Sequence, residues 1–265
     1  MLVDPFKVHI LGCGSALPTL RHNASSQIVE VRQKILMLDC AEGTQMQLRK
    51  CRVRFTKLGH VFITHLHGDH CFGLIGMIST FGLVGRIATL HVHGPEALGP
   101  ELEHQIAFYT HDLGFSVEFH PVDTTRREVV FEDRSIIVES IPLQHRMPCC
   151  GYLISEKPTR RPEDVLRSYA YISDTKYIPQ LADELKGVST LYHESTYGED
   201  RLQSAEKYCH STARQAAMVA REAGVGKLLL GHYSSRYDKE EVLLNEAKEV
   251  FENTFLTNEM DVFDV

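Results

Sequence analysis

The stretch Thr64-His65-Leu66-His67-Gly68-Asp69-His70 constrains this chain more than any other. It sets three imidazoles and a carboxylate within six residues. They directly follow the apolar run 60–63, which its pattern predicts as a short buried strand. His65 and His67 are two apart, so an extended backbone points both to the same side. Gly68 then permits a turn that swings Asp69 and His70 toward a second position nearby. Neutral nitrogens and hard carboxylate oxygens in that order suit two metal ions held close together. A polar loop with chance histidines is the competing reading in a chain with 15 of them. The order His-x-His-x-Asp-His at a strand end is too specific for it.

The motif resembles the signature of the metallo-β-lactamase superfamily. That resemblance implies an α/β fold, a four-layer αββα sandwich in which two β-sheets face each other between helices, and a metal-dependent hydrolase. Several chemistries share the motif, so it specifies the fold better than the reaction. The reaction has to be read from the rest of the chain.

At 265 residues and 43% hydrophobic content the chain can bury a large α/β core, and residues 1–265 are expected to form one domain without a linker. No apolar run approaches the ~20 residues that span a bilayer. The N-terminus shows no basic region followed by a long apolar segment. Leu11-Gly12-Cys13 is a poor lipoprotein site, because the segment before it is short and contains Asp4 and Pro5. A cytoplasmic location is expected. The seven cysteines are scattered, odd in number and without a Cys-x-x-Cys pair, which points to reduced thiols. Cys149 and Cys150 read as small apolar fillers. A net charge of −7 is unlike that of a nucleic-acid binder relying on many phosphate contacts. Attraction for a polynucleotide must then come from a local patch and from the metals themselves. Arg49, Lys50, Arg52, Arg54 and Lys57 form one such basic run, or a solvated face.

Alternation and turn signals predict strands over 7–11, 26–31, 34–39, 60–63, 90–93, 117–122, 128–131, 135–141, 151–155, 169–173, 190–192, 227–230 and 261–264. Helices are expected to begin around 40–48 with Gly43 near the first turn, over the apolar and glycine-containing 71–85 as one helix or a pair, from Gly94-Pro95 to about 109, over 178–186, from the Ser211-Thr212 N-cap to 222, and over 239–251. His91 and His93 alternate along their strand and, with no carboxylate nearby, read as structural. The polar, proline-punctuated 156–168 is the one obvious loop of any length.

Five of these strands end on ligand-capable residues: Asp39, His65, His145, Asp174 and His232. A site gathered from distant segments at one sheet edge needs that placement. His65, His67 and His145 are expected to hold one metal, and Asp69, His70 and His232 the other, with Asp174 bridging. Zinc fits this donor mixture best, with manganese as an alternative. Two ions roughly 3.5 Å apart would orient an attacking water and neutralise a departing oxyanion. Asp69 would accept that water's proton. Asp39 is expected to hold the outer nitrogen of a ligand imidazole, with a strand-end cap as the competing role.

The flanking residues separate the subfamilies. Ser173-Asp174-Thr175, His193-Glu194-Ser195-Thr196, His210-Ser211-Thr212 and Gly231-His232-Tyr233-Ser234-Ser235-Arg236-Tyr237 resemble the ribonuclease Z family, as do Gly14–Asn23 and Asp39–Gln45. The similarity runs from the first strand to the last. It implies an endonuclease that removes 3′ trailers from precursor tRNA with two zinc ions per subunit, commonly as a homodimer. It also implies a Glu194–His210 pair that protonates the leaving 3′-oxygen. Such a pair is chemically sound, because a carboxylate raises an imidazole's pKa toward usefulness as an acid. Ser234, Ser235 and Arg236 would donate hydrogen bonds to the scissile phosphate. There are two departures. Ser195 stands where the family usually has Ala, a small-for-small exchange. The long Gly-, Pro- and Lys-rich arm that grips tRNA is replaced by the short loop around 157–167, whose Arg160, Arg161 and Arg167 would be a vestigial clamp. The missing arm and the acidic balance favour an alternative, a phosphodiesterase acting on smaller or non-tRNA phosphodiesters. A thioester or lactone hydrolase and a non-catalytic RNA-binding relative are further readings.

Overall fold

Strands buried on both faces carry near-continuous apolar runs, and that pattern underlies two stacked sheets. The computed structural model describes residues 5–17, 19–110, 112–158 and 165–265. The first sheet contains β1 (Phe6–Gly12), β2 (Ser26–Val31), β3 (Lys34–Cys40), β4 (Leu58–Phe62), β5 (Leu90–Pro95) and β6 (Val117–Val122). The second contains β7 (Glu128–Glu132), β8 (Ile136–Pro142), β9 (Cys150–Glu156), β10 (Ser168–Ile172), β11 (Thr190–Glu194), β12 (Lys227–Gly231) and β13 (Thr254–Leu256). The last strand, β14 (Val262–Asp264), returns to pair with β1 in the first sheet. Each sheet is mixed in the same way. β1–β3 and β7–β10 are antiparallel meanders, and β3–β6 and β10–β13 are parallel.

The helices are α1 (Thr44–Lys50), α2 (Gly68–Cys71), α3 (Leu74–Leu83), α4 (Leu98–Tyr109), α5 (Leu181–Glu184), α6 (Leu202–Tyr208), α7 (Ala213–Ala223) and α8 (Glu241–Lys248). Alternation within the strands decides which layer each side chain joins. Val29, Val31, Leu36 and Leu38 pack with Ile136, Val138, Tyr152 and Tyr171 of the other sheet. Their neighbours Ile28, Ile35 and Met37 pack outward with Leu74, Met77 and Phe81 of α3 and Leu98 and Leu102 of α4. Ala216, Val219 and Ala220 of α7 cover the far side of the second sheet with Leu191 and Leu229. The result is the metallo-β-lactamase fold, two mixed sheets flanked by helices.

Three tyrosines of the second sheet reach across the sandwich with their hydroxyls. Tyr152 donates to the Ile63 carbonyl at 2.8 Å, Tyr169 to Gln27, and Tyr171 to Asp39 at 3.0 Å. All three rings are fully buried, so each hydroxyl needs the partner it has.

The predicted elements stand close to where the pattern put them, with three exceptions. The helices expected over 178–186 and 239–251 shorten to α5 and α8. β13 and α6 went unforeseen: three strand residues are too few to show a period, and α6 (LQSAEKY) carries no apolar stripe. α2 starts at Gly68, inside the motif read as a loop, while the helix pair allowed over 71–85 divides at Gly73.

Gly73 is the reason the two pieces can sit against β3. A Cβ built there would lie 1.9 Å from the Ala41 carbonyl oxygen, and its own N–H donates to the Cys40 carbonyl at 2.9 Å. Gly73→Ala is therefore expected to destabilise the protein by about 1–3 kcal/mol in thermal unfolding. Gly59→Ala, with nothing within 4 Å of the added carbon, should change stability by less than about 1 kcal/mol.

Candidate active site

β3, β4, β8, β10, β11 and β12 all end at one edge of the sandwich: crossovers keep β3 parallel to β4 and β10 to β12, and β8 runs the same way as β10 because both pair antiparallel with β9. The residues at or just past their ends therefore converge: Asp39, His65–His70, His145, Asp174, Glu194 and His232. Asp39 (φ 53°) and His232 (φ 60°) both adopt the left-handed conformation, a strained geometry for non-glycine residues that the surrounding packing must enforce.

Two donor clusters share Asp174. In the first, His67 Nδ1 lies 3.0 Å from His65 Nε2 and 3.1 Å from His145 Nε2. The Asp174 Oδ2 atom is 3.9 and 3.7 Å from those two Nε2 atoms. Nitrogens bound to one tetrahedral zinc at ~2.0–2.1 Å would be about 3.3 Å apart, so this spacing fits a common cation. In the second cluster, Asp174 Oδ1 lies 3.2 Å from His70 Nε2 and 3.1 Å from His232 Nε2. Asp69 Oδ2 is 3.3 and 3.7 Å from the same nitrogens. Among the described residues neither of these two buried nitrogens makes a hydrogen bond. Orphaned imidazole nitrogens beside two carboxylates form a donor set that fits a divalent metal ion.

The outer nitrogen of four of the five rings is held, which fixes the tautomer and aims the inner one. His70 Nδ1 donates to Asp39 at 2.7 Å, His145 Nδ1 to the Cys209 carbonyl at 3.0 Å, and His232 Nδ1 to Thr196 Oγ1 at 2.8 Å. His65 Nδ1 lies 3.0 Å from Thr64 Oγ1, which in turn donates to Asp39. Burial pushes the pKa of His65, His67 and His145 down, so their rings are in the neutral, ligating form near pH 7. For His70 burial opposes charging, but Asp174 and Asp39 outweigh it and raise the pKa well above the usual value. A metal ion beside Asp174 would take the place of that proton. Burial would raise the Asp69 carboxyl, yet the adjoining His232 and His70 rings hold it well below the usual range.

Beside the clusters lies the pair read from the sequence. Glu194 is fully buried, with Oε1 2.9 Å from His210 Nδ1 and 3.0 Å from the Thr175 N–H. Its Oε2 accepts from Thr196 N–H at 3.1 Å and Thr196 Oγ1 at 2.6 Å. Burial disfavours a charged His210, but the Glu194 carboxylate more than offsets that and lifts its pKa to about 9. A cavity of about 670 Å³ opens over both clusters and His210, and Ser234, Ser235 and Arg236 line it too.

Sequence reasoning missed part of this cavity wall. Arg146, Tyr197 and Tyr208 line it, and the Arg146 guanidinium stacks on the Tyr208 ring at 5.0 Å. The available signal was only that Arg146 adjoins His145. Other expectations fall elsewhere. Arg167 is committed to Glu156, with contacts of 3.0 and 2.8 Å. It precedes β10, on the order of 20 Å of extended chain from Asp174, away from the catalytic edge. Arg160 and Arg161 lie outside the described residues. The exposed basic run 49–57 ends where β4 begins, opposite the edge that carries His65. His91 has a carboxylate close by after all, Glu118 at 3.4 Å. Cys149 and Cys150 are buried and unpaired, as expected of fillers.

Comparison with known proteins agrees with this geometry. The family profile described as a beta-lactamase superfamily domain matches residues 34–233. A ribonuclease Z of Bacteroides fragilis (strain YCH46) is 48% identical over 298 aligned residues, covering 97% of this chain and 98% of the relative. The chain belongs to the ribonuclease Z family. A ribonuclease Z of Bacteroides thetaiotaomicron is 43% identical, with 97% of this chain and 94% of the relative covered. The crystal structure of human tRNase Z, short form, superposes with a TM-score of 0.81 at 25% identity, over 97% of this chain and 98% of that one. The alignment to the B. fragilis ribonuclease Z is longer than the 265-residue chain itself, so that relative carries residues with no counterpart here. No helix among the described residues is long and apolar enough to cross a membrane.

The raised His210 pKa has a sign that can be checked. A group whose pKa is raised on folding contributes stability below its unfolded value, near 6.5, and loses it as pH rises through about 9. An NMR titration of the His210 ring should have its midpoint above pH 8 in the wild type. In Glu194→Gln, where burial and Arg146 are opposed only by Asp174, the midpoint should fall well below the wild-type value.

Proposed function

We propose that this chain is a zinc-dependent endoribonuclease that hydrolyses precursor tRNA at its 3′ trailer. The observation that carries the reading is Asp174, which turns one carboxylate oxygen to each donor cluster while Glu194–His210 stands beside them. The names of the relatives support the substrate, and the donor mixture of imidazoles and carboxylates supports two zinc ions, with manganese as the alternative. His65, His67 and His145 would hold one ion and Asp69, His70 and His232 the other, with Asp174 between them. Ions there supply charge neutralisation at the phosphate and an activated water.

The protein's own groups do the rest. Asp39 keeps His70 in the right tautomer. Asp69, ionised, orients the attacking water on the face of the phosphate away from the leaving group and accepts its proton. Glu194 holds His210 protonated at Nδ1 and charged near neutrality, so Nε2 delivers a proton to the departing 3′-oxygen. Ser234, Ser235 and Arg236 donate to the non-bridging phosphate oxygens. Residues 1–265 act as one domain in this reading, because the site draws ligands from both sheets. We place the protein in the cytoplasm as a homodimer; unpaired cysteines support the compartment. The second reading, hydrolysis of smaller phosphodiesters by the same chemistry, is favoured by the short connection between β9 and β10 and by the net charge of −7.

Cleavage of a trailer-bearing precursor tRNA, assayed beside a chromogenic phosphodiester, tests the proposal. Cutting at the trailer junction is expected from the wild type. Turnover of the small phosphodiester alone would move the substrate to the second reading, and turnover of a thioester alone would overturn both. Asp174→Ala should lose metal content and activity together. Glu194→Ala should retain its metal by elemental analysis and lose roughly 10²–10⁴-fold in turnover, the range for a general acid. Asp39→Asn should weaken metal affinity by about 10–100-fold, read by competition with a chromophoric chelator.

A further inference from the structure

A second histidine cluster lies away from the catalytic edge, on the inward face of β4, β5 and β6. The parallel register sets His60 opposite His91, His91 opposite Glu118, and His93 opposite His120. Strand residues two apart share a face, so all five side chains project toward the second sheet. There Phe131 of β7 packs on the His60 ring at 4.0 Å. The cluster thus sits where the outermost strands of the two sheets, β6 and β7, leave the sandwich open to solvent.

Its outer part has the makeup of a metal site. His91 Nδ1 lies 3.0 Å from His120 Nε2 and 3.4 Å from Glu118 Oε2, and one donor atom from each residue falls within 4.8 Å of the other two. The His91 and Glu118 side chains are 30% and 55% exposed, which leaves an entry path and room for a water as fourth ligand. The inner part orients the outer. His60 stacks on His91 with centroids 4.7 Å apart, and His93 on His120 at 4.6 Å. His60 Nδ1 and His93 Nε2 face each other at 3.1 Å, while the other His93 nitrogen is buried without a hydrogen bond. Burial, joined by repulsion between the rings, keeps His60 down at about 4 and lowers His120. The His120 ring therefore offers a lone pair at neutral pH.

We propose that His91, Glu118 and His120 form an accessory binding site for a divalent, imidazole-preferring transition-metal ion of the zinc type, distinct from the catalytic centre. Two nitrogens and one carboxylate oxygen around an open position suit such an ion and not calcium or magnesium, which take all-oxygen shells.

The test is zinc content of the purified full-length protein after equilibrium dialysis against buffered zinc, measured by elemental mass spectrometry. Wild type should hold one more equivalent per chain than His120→Asn or Glu118→Ala, and phosphodiester turnover should be unchanged in both. Glu118 is exposed, so its variant guards against loss of zinc through misfolding. Equal zinc in the wild type and a folded Glu118→Ala protein would overturn the proposal and leave the cluster as packing for the open sheet edge.

Discussion

A fully buried carboxyl group, Asp39, ties the structure together. It accepts from the Thr64 N–H and hydroxyl, the His70 ring and the Tyr171 hydroxyl. Those donors belong to the motif loop after β4 and to β10 of the opposite sheet. Burying such a group without partners costs several kcal/mol. With them, its cost is offset and it becomes a rivet that sets the distance between the sheets and the pose of a metal-binding imidazole at once. The left-handed backbone at Asp39 is the local strain that this arrangement sustains.

From that rivet the site follows by topology. Each sheet turns from an antiparallel meander to a parallel run, and the parallel runs deliver their C-terminal ends to one edge. Asp174 follows the first strand of the second run, so its carboxylate enters between histidines supplied by both sheets. Glu194, one strand further on, is close enough to charge His210, and both of its oxygens are taken up by His210, Thr175 and Thr196. Neutral, ligating imidazoles and a protonated one thus sit within one cavity, separated by which carboxylate each ring faces.

Much of this was legible in the sequence because strand ends can be read locally. A run of apolar residues followed by His or Asp marks a ligand-capable residue at a sheet edge, and Asp39, His65, His145, Asp174 and His232 all showed that pattern. The Glu194–His210 pair was legible only through resemblance, since a buried Glu and a residue before an N-cap carry no periodic signal. What could not be read depends on register. His91, Glu118 and His120 are neighbours only because β5 and β6 pair as they do, and residues 27 apart in sequence announce no such contact. The Arg146–Tyr208 wall of the cavity was hidden for the same reason. Arg167 misled in the opposite sense, since a basic residue in a polar loop turned out to be held by buried Glu156.

The central claim is that Asp174 joins two metal ions. Anomalous X-ray diffraction from crystals of the active protein, recorded across the zinc absorption edge, tests it most directly. The account predicts two peaks roughly 3.5–4 Å apart on either side of the Asp174 carboxylate, one against His65, His67 and His145 and the other against Asp69, His70 and His232. A single peak, or none, in a preparation that hydrolyses phosphodiesters would contradict it.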